Sequence, residues 1–223
     1  MSPIKHAVIC AAGIGSRLGL NKPKCLVEVN GRTLLDYHLE RLAWAQTLWL
    51  VVGFEEEDVI AHAMSLRNDI IVVRNPDYAR TNTLQSLYLV SRHLDERFLM
   101  IDADTVVETE SFNDFMAASN EHRQLIGVSR YTTSDGVRVL LDANAESVVG
   151  FTREPHHSRE WTGIAIIEPA LVVDKPIYVY QALEPFLPMR AAELKAFDID
   201  TTADLDMAGR VLASGWNLEA EHA

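Results

Sequence analysis

The sequence predicts an α/β protein: a mainly parallel sheet covered by helices on both faces. Three observations carry that expectation. Short apolar runs alternate with helix-spaced patterns through the first half of the chain. Several helical patterns open on capping or acidic residues. Past residue 130 the alternation gives way to strand patterns flanking a turn. Strand and helix alternating at this spacing means successive βαβ units, whose crossover helices lie on the sheet faces.

The elements follow in order. Ile4–Cys10 is an apolar run read as a buried strand. Thr33–Ala45 places Leu34, Leu35, Leu39 and Leu42 on one helix face. Its opening, Thr33-Leu-Leu-Asp36, has the form of a capping box with Asp in place of Glu. Leu48–Val52 is a second strand, and Glu55–Ser65 a helix with acids in its first turn. Ile70–Val73, Thr83–Leu94 and Phe98–Ile101 continue as strand, helix and strand. Val137–Leu141 and Val148–Phe151 flank the turn-rich Asp142-Ala-Asn144 and predict a hairpin. Thr162–Ile167 reads as a strand, and Leu183–Ala192 as a helix interrupted at Pro185 and Pro188. A capped helix opens at Thr201. Residues 1–223 read as one domain with a lid-like, β-rich insertion near 131–162.

Composition narrows the function. The chain carries 20 basic and 32 acidic residues, a net charge of −12. That excludes broad binding to nucleic acid or to anionic lipid, which needs basic patches. No apolar run approaches the roughly 20 residues of a membrane span, and the N-terminus lacks a signal peptide's pattern. The two cysteines, Cys10 and Cys25, do not form a disulfide framework. The expected location is cytoplasmic, and the sequence leaves a homodimer open.

Within this acidic chain, residues 11–26 (AAGIGSRLGLNKPKCL) stand out as a flexible, cationic loop behind the first strand. Gly13 and Gly15 alone suit a tight turn with no ligand. Leu18 stands where the dinucleotide fingerprint needs its third glycine, and no glycine has the P-loop frame before Lys22 or Lys24. The combination is more informative. Glycines at this place let backbone N–H groups of Ala11, Ala12, Gly13 and Gly15 approach a phosphate. Ser16 adds a hydroxyl, while Arg17 and Lys24 add full charges. At the carboxyl end of a strand in an open α/β sheet, such a loop lies where ligands bind.

These residues resemble the nucleotidyltransferases that join an NTP to a phosphorylated acceptor. Ala11 to Leu18, then Pro23-Lys24-Cys25-Leu26-Val27-Glu28-Val29 and Gly31-Arg-Thr-Leu-Leu, match a G-x-G-[ST]-R-[LM] loop, a P-K pair and a helix entry. The loop between Arg17 and Pro23 is shorter than in the usual sugar-phosphate members, and Thr33 stands where proline is common. Asn75-Pro-Asp-Tyr78-Ala-Arg-Thr81-Asn82-Thr83-Leu-Gln-Ser86-Leu87 resembles the N-P-x-Y-x-x-T-N-N-x-x-S-L stretch of phosphocholine cytidylyltransferase-like enzymes, with Thr83 for the second asparagine. The resemblance implies a Rossmann-like, nucleotide-diphospho-sugar transferase-like fold. It also implies CTP as nucleotide, with Tyr78, Thr81, Asn82 and Ser86 near base and ribose. A plain alternative is helix capping by Thr81 or Asn82.

Phe98-Leu-Met-Ile-Asp102-Ala-Asp104 puts two carboxylates just past a buried strand. If the strand persists, both point the same way. Aspartates often end strands, but behind a phosphate-binding loop hard oxygen ligands suit Mg²⁺. The resemblance maps the family's metal aspartate onto Asp104, with Ala103 in a glycine position. It maps the second metal carboxylate onto Asp200 of Phe197-Asp198-Ile199-Asp200-Thr201, and leaves Asp102 on the nucleotide side. Such enzymes attack the α-phosphorus with an acceptor oxygen that is already anionic, so no general base is needed. Accordingly, no Ser/His/Asp or Cys/His constellation stands out, and His156-His157 beside Arg159 reads as a solvated loop.

The resemblance implies a small phosphoryl or phosphonyl compound as acceptor. Tyr131, Trp161, Tyr178 and Tyr180 form a candidate aromatic cage for a quaternary ammonium, with core packing as the alternative. Arg138, Arg153 and Arg159 suit a polyanion instead, and Arg153 stands where relatives place an acceptor-contacting lysine. Phosphocholine, an aminoalkyl phosphonate, inositol phosphate and a sugar 1-phosphate all remain open. Two other functions compete: a uridylyl- or guanylyltransferase acting on sugar 1-phosphates, and a catalytically silent nucleotide-binding regulator.

Overall fold

The computed structural model of the chain describes residues 2–15, 18–20, 22–133 and 135–216. The strands are β1 (His6–Ala11), β2 (Glu28–Val29), β3 (Arg32–Thr33), β4 (Thr47–Val52), β5 (Ile70–Arg74), β6 (Phe98–Asp102) and β7 (Thr105–Val107). They continue as β8 (Leu125–Ser129), β9 (Arg138–Leu141), β10 (Ser147–Thr152), β11 (Glu160–Ile167), β12 (Met189–Glu193) and β13 (Ala196–Asp198). The helices are α1 (Leu34–Arg41), α2 (Glu56–Leu66), α3 (Thr83–Ser91), α4 (Thr109–Ala118), α5 (Val179–Leu183) and α6 (Thr202–Ser214).

Nine strands form one mixed sheet in the order β5-β4-β1-β6-β11-β8-β12-β10-β9. Its first four strands are parallel, as the alternation predicts. β11 runs antiparallel to both β6 and β8, and β12 returns parallel to β8. Both faces are buried. Along β1, Ala7 and Ile9 join one apolar cluster with Leu35, Val59 and Phe112, while Val8 joins another with Leu84, Leu87 and Val179. Alternation of side chains across the strand thus feeds two helical layers.

Local chemistry sets the helix starts. Thr33 accepts from the Asp36 backbone N–H, and the Asp36 carboxylate accepts from Thr33 in return, completing the expected capping box. Asn82 is the residue that caps α3, by accepting from the Leu84 N–H. Thr201 and Asp204 form a second reciprocal box at α6, which ends on Gly215 at φ +76°.

Two expectations are corrected. Leu183–Ala192 is not a helix: α5 ends at Leu183, a 3-10 turn covers Glu184–Phe186, and Met189–Glu193 is a strand. Pro185 and Pro188 stop the helix, and β12 then gains hydrogen bonds with β8 that a helix would forgo. The hairpin β9–β10 forms where expected but joins the main sheet, since β10 pairs with β12 and β9 with β11. No helix among the described residues is long and apolar enough to cross a membrane.

Candidate active site

β1 has β4 on one side and β6 on the other, so the chain order across the parallel block reverses at β1. In open α/β sheets such a switch point leaves a crevice at the carboxyl ends of the strands. Cys10 pairs in register with Asp102 there, and the Ala103 N–H donates to the Cys10 carbonyl at 3.1 Å. β6 does not persist to residue 104. The chain turns through Ala103-Asp104, and the turn still leaves both carboxylates on one cleft.

A second acid pair arrives from near the C-terminus. β13 pairs antiparallel with β7, setting Asp198 opposite Thr105. Thr105 Oγ1 donates to Asp198 Oδ1 at 2.7 Å, and the Ile199 N–H donates to the Asp104 carbonyl at 3.0 Å. Phe197, Ile199, Val106 and Val211 pack in a third apolar cluster, which ties this two-stranded ribbon to α6. Thr201 and Asp204 are spent on capping, while Asp198 and Asp200 face the cleft.

The cleft has a volume of about 270 Å³, and Lys24 is the only cation among its described lining residues. Its Nζ donates to Asp104 and, at 2.5 Å, to Asp200 Oδ1. Burial by itself would lower the Lys24 pKa. Asp104 and Asp200 outweigh it and hold the ammonium above its usual range. Behind this bridge, burial and the charge of Asp104 push Asp102 well above the usual carboxylate range. Burial, Asp104 and Asp102 do the same to Asp198. Burial raises the thiols of Cys10 and Cys25, the latter to about 12, so both are protonated, unreactive wall residues.

Asp102 is seated by a glycine. Gly163 has φ +68°, and a Cβ there would stand 2.6 Å from Asp102 Oδ2. The left-handed backbone alone costs another residue about 1–2 kcal/mol, and the Asp102 contact adds to it. Gly163→Ala is therefore expected to lower Tm by roughly 2–8 °C from the backbone alone, at about 2–4 °C per kcal/mol for a chain of this size. An unchanged melting curve would show that Asp102 is not held against this strand.

The glycine loop and the 75–86 segment face each other across the cleft. Ala11, Ala12 and Gly13 line one wall. Gly15 lies behind it at φ +65°, where a Cβ would crowd Lys24 Cβ at 3.0 Å. Ser16 and Arg17 lie outside the described residues. Tyr78, Thr81, Asn82 and Ser86 line the opposite wall. Buried Asn75 braces that wall by donating to Thr81 Oγ1 and Ser86 Oγ, both at 2.9 Å, and accepting from the Asp77 N–H.

A second space of about 170 Å³ shares Thr83, Asp102, Tyr178, Asp198 and Asp200 with the first. Arg153, Trp161 and Tyr180, three of the acceptor candidates, line it together. The Arg153 guanidinium lies 5.7 Å from the ring centroids of both Tyr178 and Tyr180, which stack on each other. Tyr131 does not belong here. Its ring packs on Phe197 and Trp216 at the edge of the third apolar cluster, and its hydroxyl donates to the Trp216 carbonyl. Arg138 is also lost to the acceptor: it is buried in an ion pair with Glu160, which accepts from Thr133 as well. Arg159 faces Glu193 at 3.8 Å.

Sequence reasoning missed Asp198, Asp135 and Glu160 on these walls. Asp198 had a signal, since Asp198-x-Asp200 repeats the spacing of Asp102-x-Asp104. A larger depression of about 580 Å³ lies among Ser2, Arg97, Arg123 and Glu168. Its charges are already matched: Arg97 donates to three carbonyls and Arg123 pairs with Glu168.

The donor set fits a hard divalent cation. Four aspartates line the cleft, two of them bonded to Lys24, and Asp102 Oδ1 is buried without a hydrogen-bond partner. Oxygen-only donors suit Mg²⁺, which needs only one or two protein carboxylates.

Residues 7–184 match the MobA-like NTP transferase domain. CMP-5'-(3-aminopropyl)phosphonate synthase of Streptomyces rubellomurinus is 36% identical over 147 residues, covering 59% of this chain and 23% of the synthase. UTP–glucose-1-phosphate uridylyltransferase AglF of Haloferax volcanii is 29% identical over 235 residues, covering 96% of this chain and 90% of its own. The chain spans half or less of the curated relatives it matches first. The structure of the CTP:phosphocholine cytidylyltransferase from Streptococcus pneumoniae superposes with a TM-score of 0.78 over 94% of this chain and 100% of that one. At 22% identity, that likeness shows the shared mixed α/β fold.

Proposed function

Since the chain belongs to the MobA-like NTP transferase family, we propose that it is a metal-dependent cytidylyltransferase. It transfers CMP from CTP to a small phosphoryl or phosphonyl acceptor and releases pyrophosphate. The observation that carries this reading is the meeting of Asp104, Asp200 and Lys24 beside the glycine loop, with Arg153 in the adjoining space.

Asp104 and Asp200 would hold Mg²⁺, which when bound neutralises phosphate charge and stabilises the charge that develops at the α-phosphorus. The chain's own residues do the rest. Backbone N–H groups from Ala11 to Gly15 cradle the phosphates, and Lys24 and Arg17 offset their charge. Arg153, steadied on Tyr178 and Tyr180, orients the acceptor's anion toward the same point. The acceptor oxygen attacks the α-phosphorus in line, the bond to pyrophosphate breaks, and no proton must be taken up. Positioning and electrostatics carry the rate. Retained carboxylates and lysine support an enzyme over a silent binding protein. The insertion near 131–162 is read as a lid on a single domain, and the expected location is cytoplasmic.

CTP is expected to be preferred over UTP, GTP and ATP. The support is the resemblance of residues 75–87 to the cytidylyltransferase loop, whose wall Asn75 braces. A pocket that hydrogen-bonds the cytosine amino group leaves buried partners unpaired when uracil enters, and such mismatches discriminate strongly. The test is pyrophosphate release with the four NTPs against phosphocholine, aminoalkyl phosphonates, inositol phosphate and hexose 1-phosphates. Equal rates with UTP, or a requirement for a hexose 1-phosphate, would replace this assignment with a sugar-phosphate uridylyltransferase, a reading that the AglF likeness keeps in play.

A further inference from the structure

The turn between β10 and β11 carries Glu154, His156 and His157, none of which the proposed transfer chemistry uses. One ligand atom from each lies within 4.8 Å of the others. Two of these separations run to one carboxylate oxygen: Glu154 Oε2 is 3.5 Å from His156 Nε2 and 3.9 Å from His157 Nε2. Tetrahedral zinc with bonds of about 2.0–2.2 Å places neighbouring ligand atoms about 3.3–3.6 Å apart. The first of these separations matches such an edge and the second exceeds it by a few tenths of an ångström, while the two imidazoles offer nitrogens within 4.8 Å of each other.

We propose that Glu154, His156 and His157 form a second metal site, for Zn²⁺, distinct from the carboxylate cleft. Two imidazoles and one carboxylate are a borderline donor set that suits zinc and not Mg²⁺. The Glu154 and His156 side chains are about two-thirds exposed, at 67% and 68%, so a water completes the fourth position. The two imidazole rings already lie side by side, with centroids 4.2 Å apart. The turn is also anchored: the Glu154 N–H donates to Thr152 Oγ1, and Arg153 donates to the Asp135 carbonyl at 2.7 Å. Zinc would close a turn that follows directly on Arg153, and would so stiffen one wall of the adjoining space. That consequence rests on the acceptor reading above; the binding itself does not.

The experiment is calorimetric titration of Zn²⁺ into the full chain without nucleotide or acceptor, compared with His156→Ala/His157→Ala and with Glu154→Gln. Glu154 and His156 are exposed and His157 is partly so, and none belongs to an apolar cluster, so the variants are expected to keep the fold, which a melting curve verifies. The carboxylate cleft is present in all three proteins, and any zinc it takes cancels in the comparison. The expected result is one equivalent of zinc lost in the double histidine variant and weaker binding in Glu154→Gln. In the wild type, zinc also shifts the imidazole nitrogen resonances of His156 and His157. Unchanged stoichiometry and affinity in the double variant, or imidazole resonances that do not move, would overturn the site. Failure of the CTP assay with zinc still bound would instead count against the transfer reading alone.

Discussion

Asp104→Ala and Asp200→Ala are each expected to abolish most turnover while leaving the fold in place. The two side chains keep partial exposure, 26% and 13%, and contribute to none of the three apolar clusters. Removing either one takes away a hard ligand and leaves Lys24 with the other as its partner. The loss in kcat/KM should be at least about 10²–10³, the order found when one preorganised electrostatic partner is removed. Pyrophosphate release across a Mg²⁺ titration, beside a thermal melt, makes the measurement. Undiminished activity at limiting Mg²⁺ would remove that residue from the metal site.

Lys24→Ala should cost a comparable 10²–10³ in kcat/KM, a rough figure on the same basis, falling mainly on kcat. In the structure the ammonium lies between the carboxylates that would hold the metal. On the proposed reading, bound nucleotide and Mg²⁺ would draw Lys24 toward the phosphates, where its charge would act on the transition state. The substitution also leaves Asp104 and Asp200 facing one another without their cation, so binding of Mn²⁺ to the free protein should strengthen. A kinetic constant near that of the wild type, with only Tm altered, would reduce the loop to a turn. Arg17→Ala is expected to follow Lys24→Ala if the two act on the same phosphates.

Much of the fold was legible in local pattern. The strand from Ile4, the capping box at Thr33 and Asp36, the cap of α3 and the box at Thr201 each depend on residues within a few positions of one another. Such signals are carried by hydrogen-bond geometry and side-chain periodicity, which a sequence displays directly. The stretch at Leu183–Ala192 was misread because the pairing of β12 with β8 is non-local, and tertiary hydrogen bonds overrode a local helical pattern.

By itself, the sequence determined the parallel α/β block, the glycine loop with Lys24 at the end of β1, and the two Asp-x-Asp stretches. Each is a contiguous run whose chemistry can be named where it stands. Only the tertiary structure decided how they meet. Antiparallel pairing of β7 with β13 brought Asp198 and Asp200 to Asp104, and the switch point at β1 set Asp102 beside Cys10. It also sorted the aromatic and cationic candidates: Trp161 and Tyr180 onto the adjoining space, Tyr131 into an apolar cluster, Arg138 into an ion pair with Glu160 and Arg153 onto stacked tyrosines. The physical reason is that burial and pairing depend on partners many residues away, and a side chain's availability for chemistry is what those partners leave over.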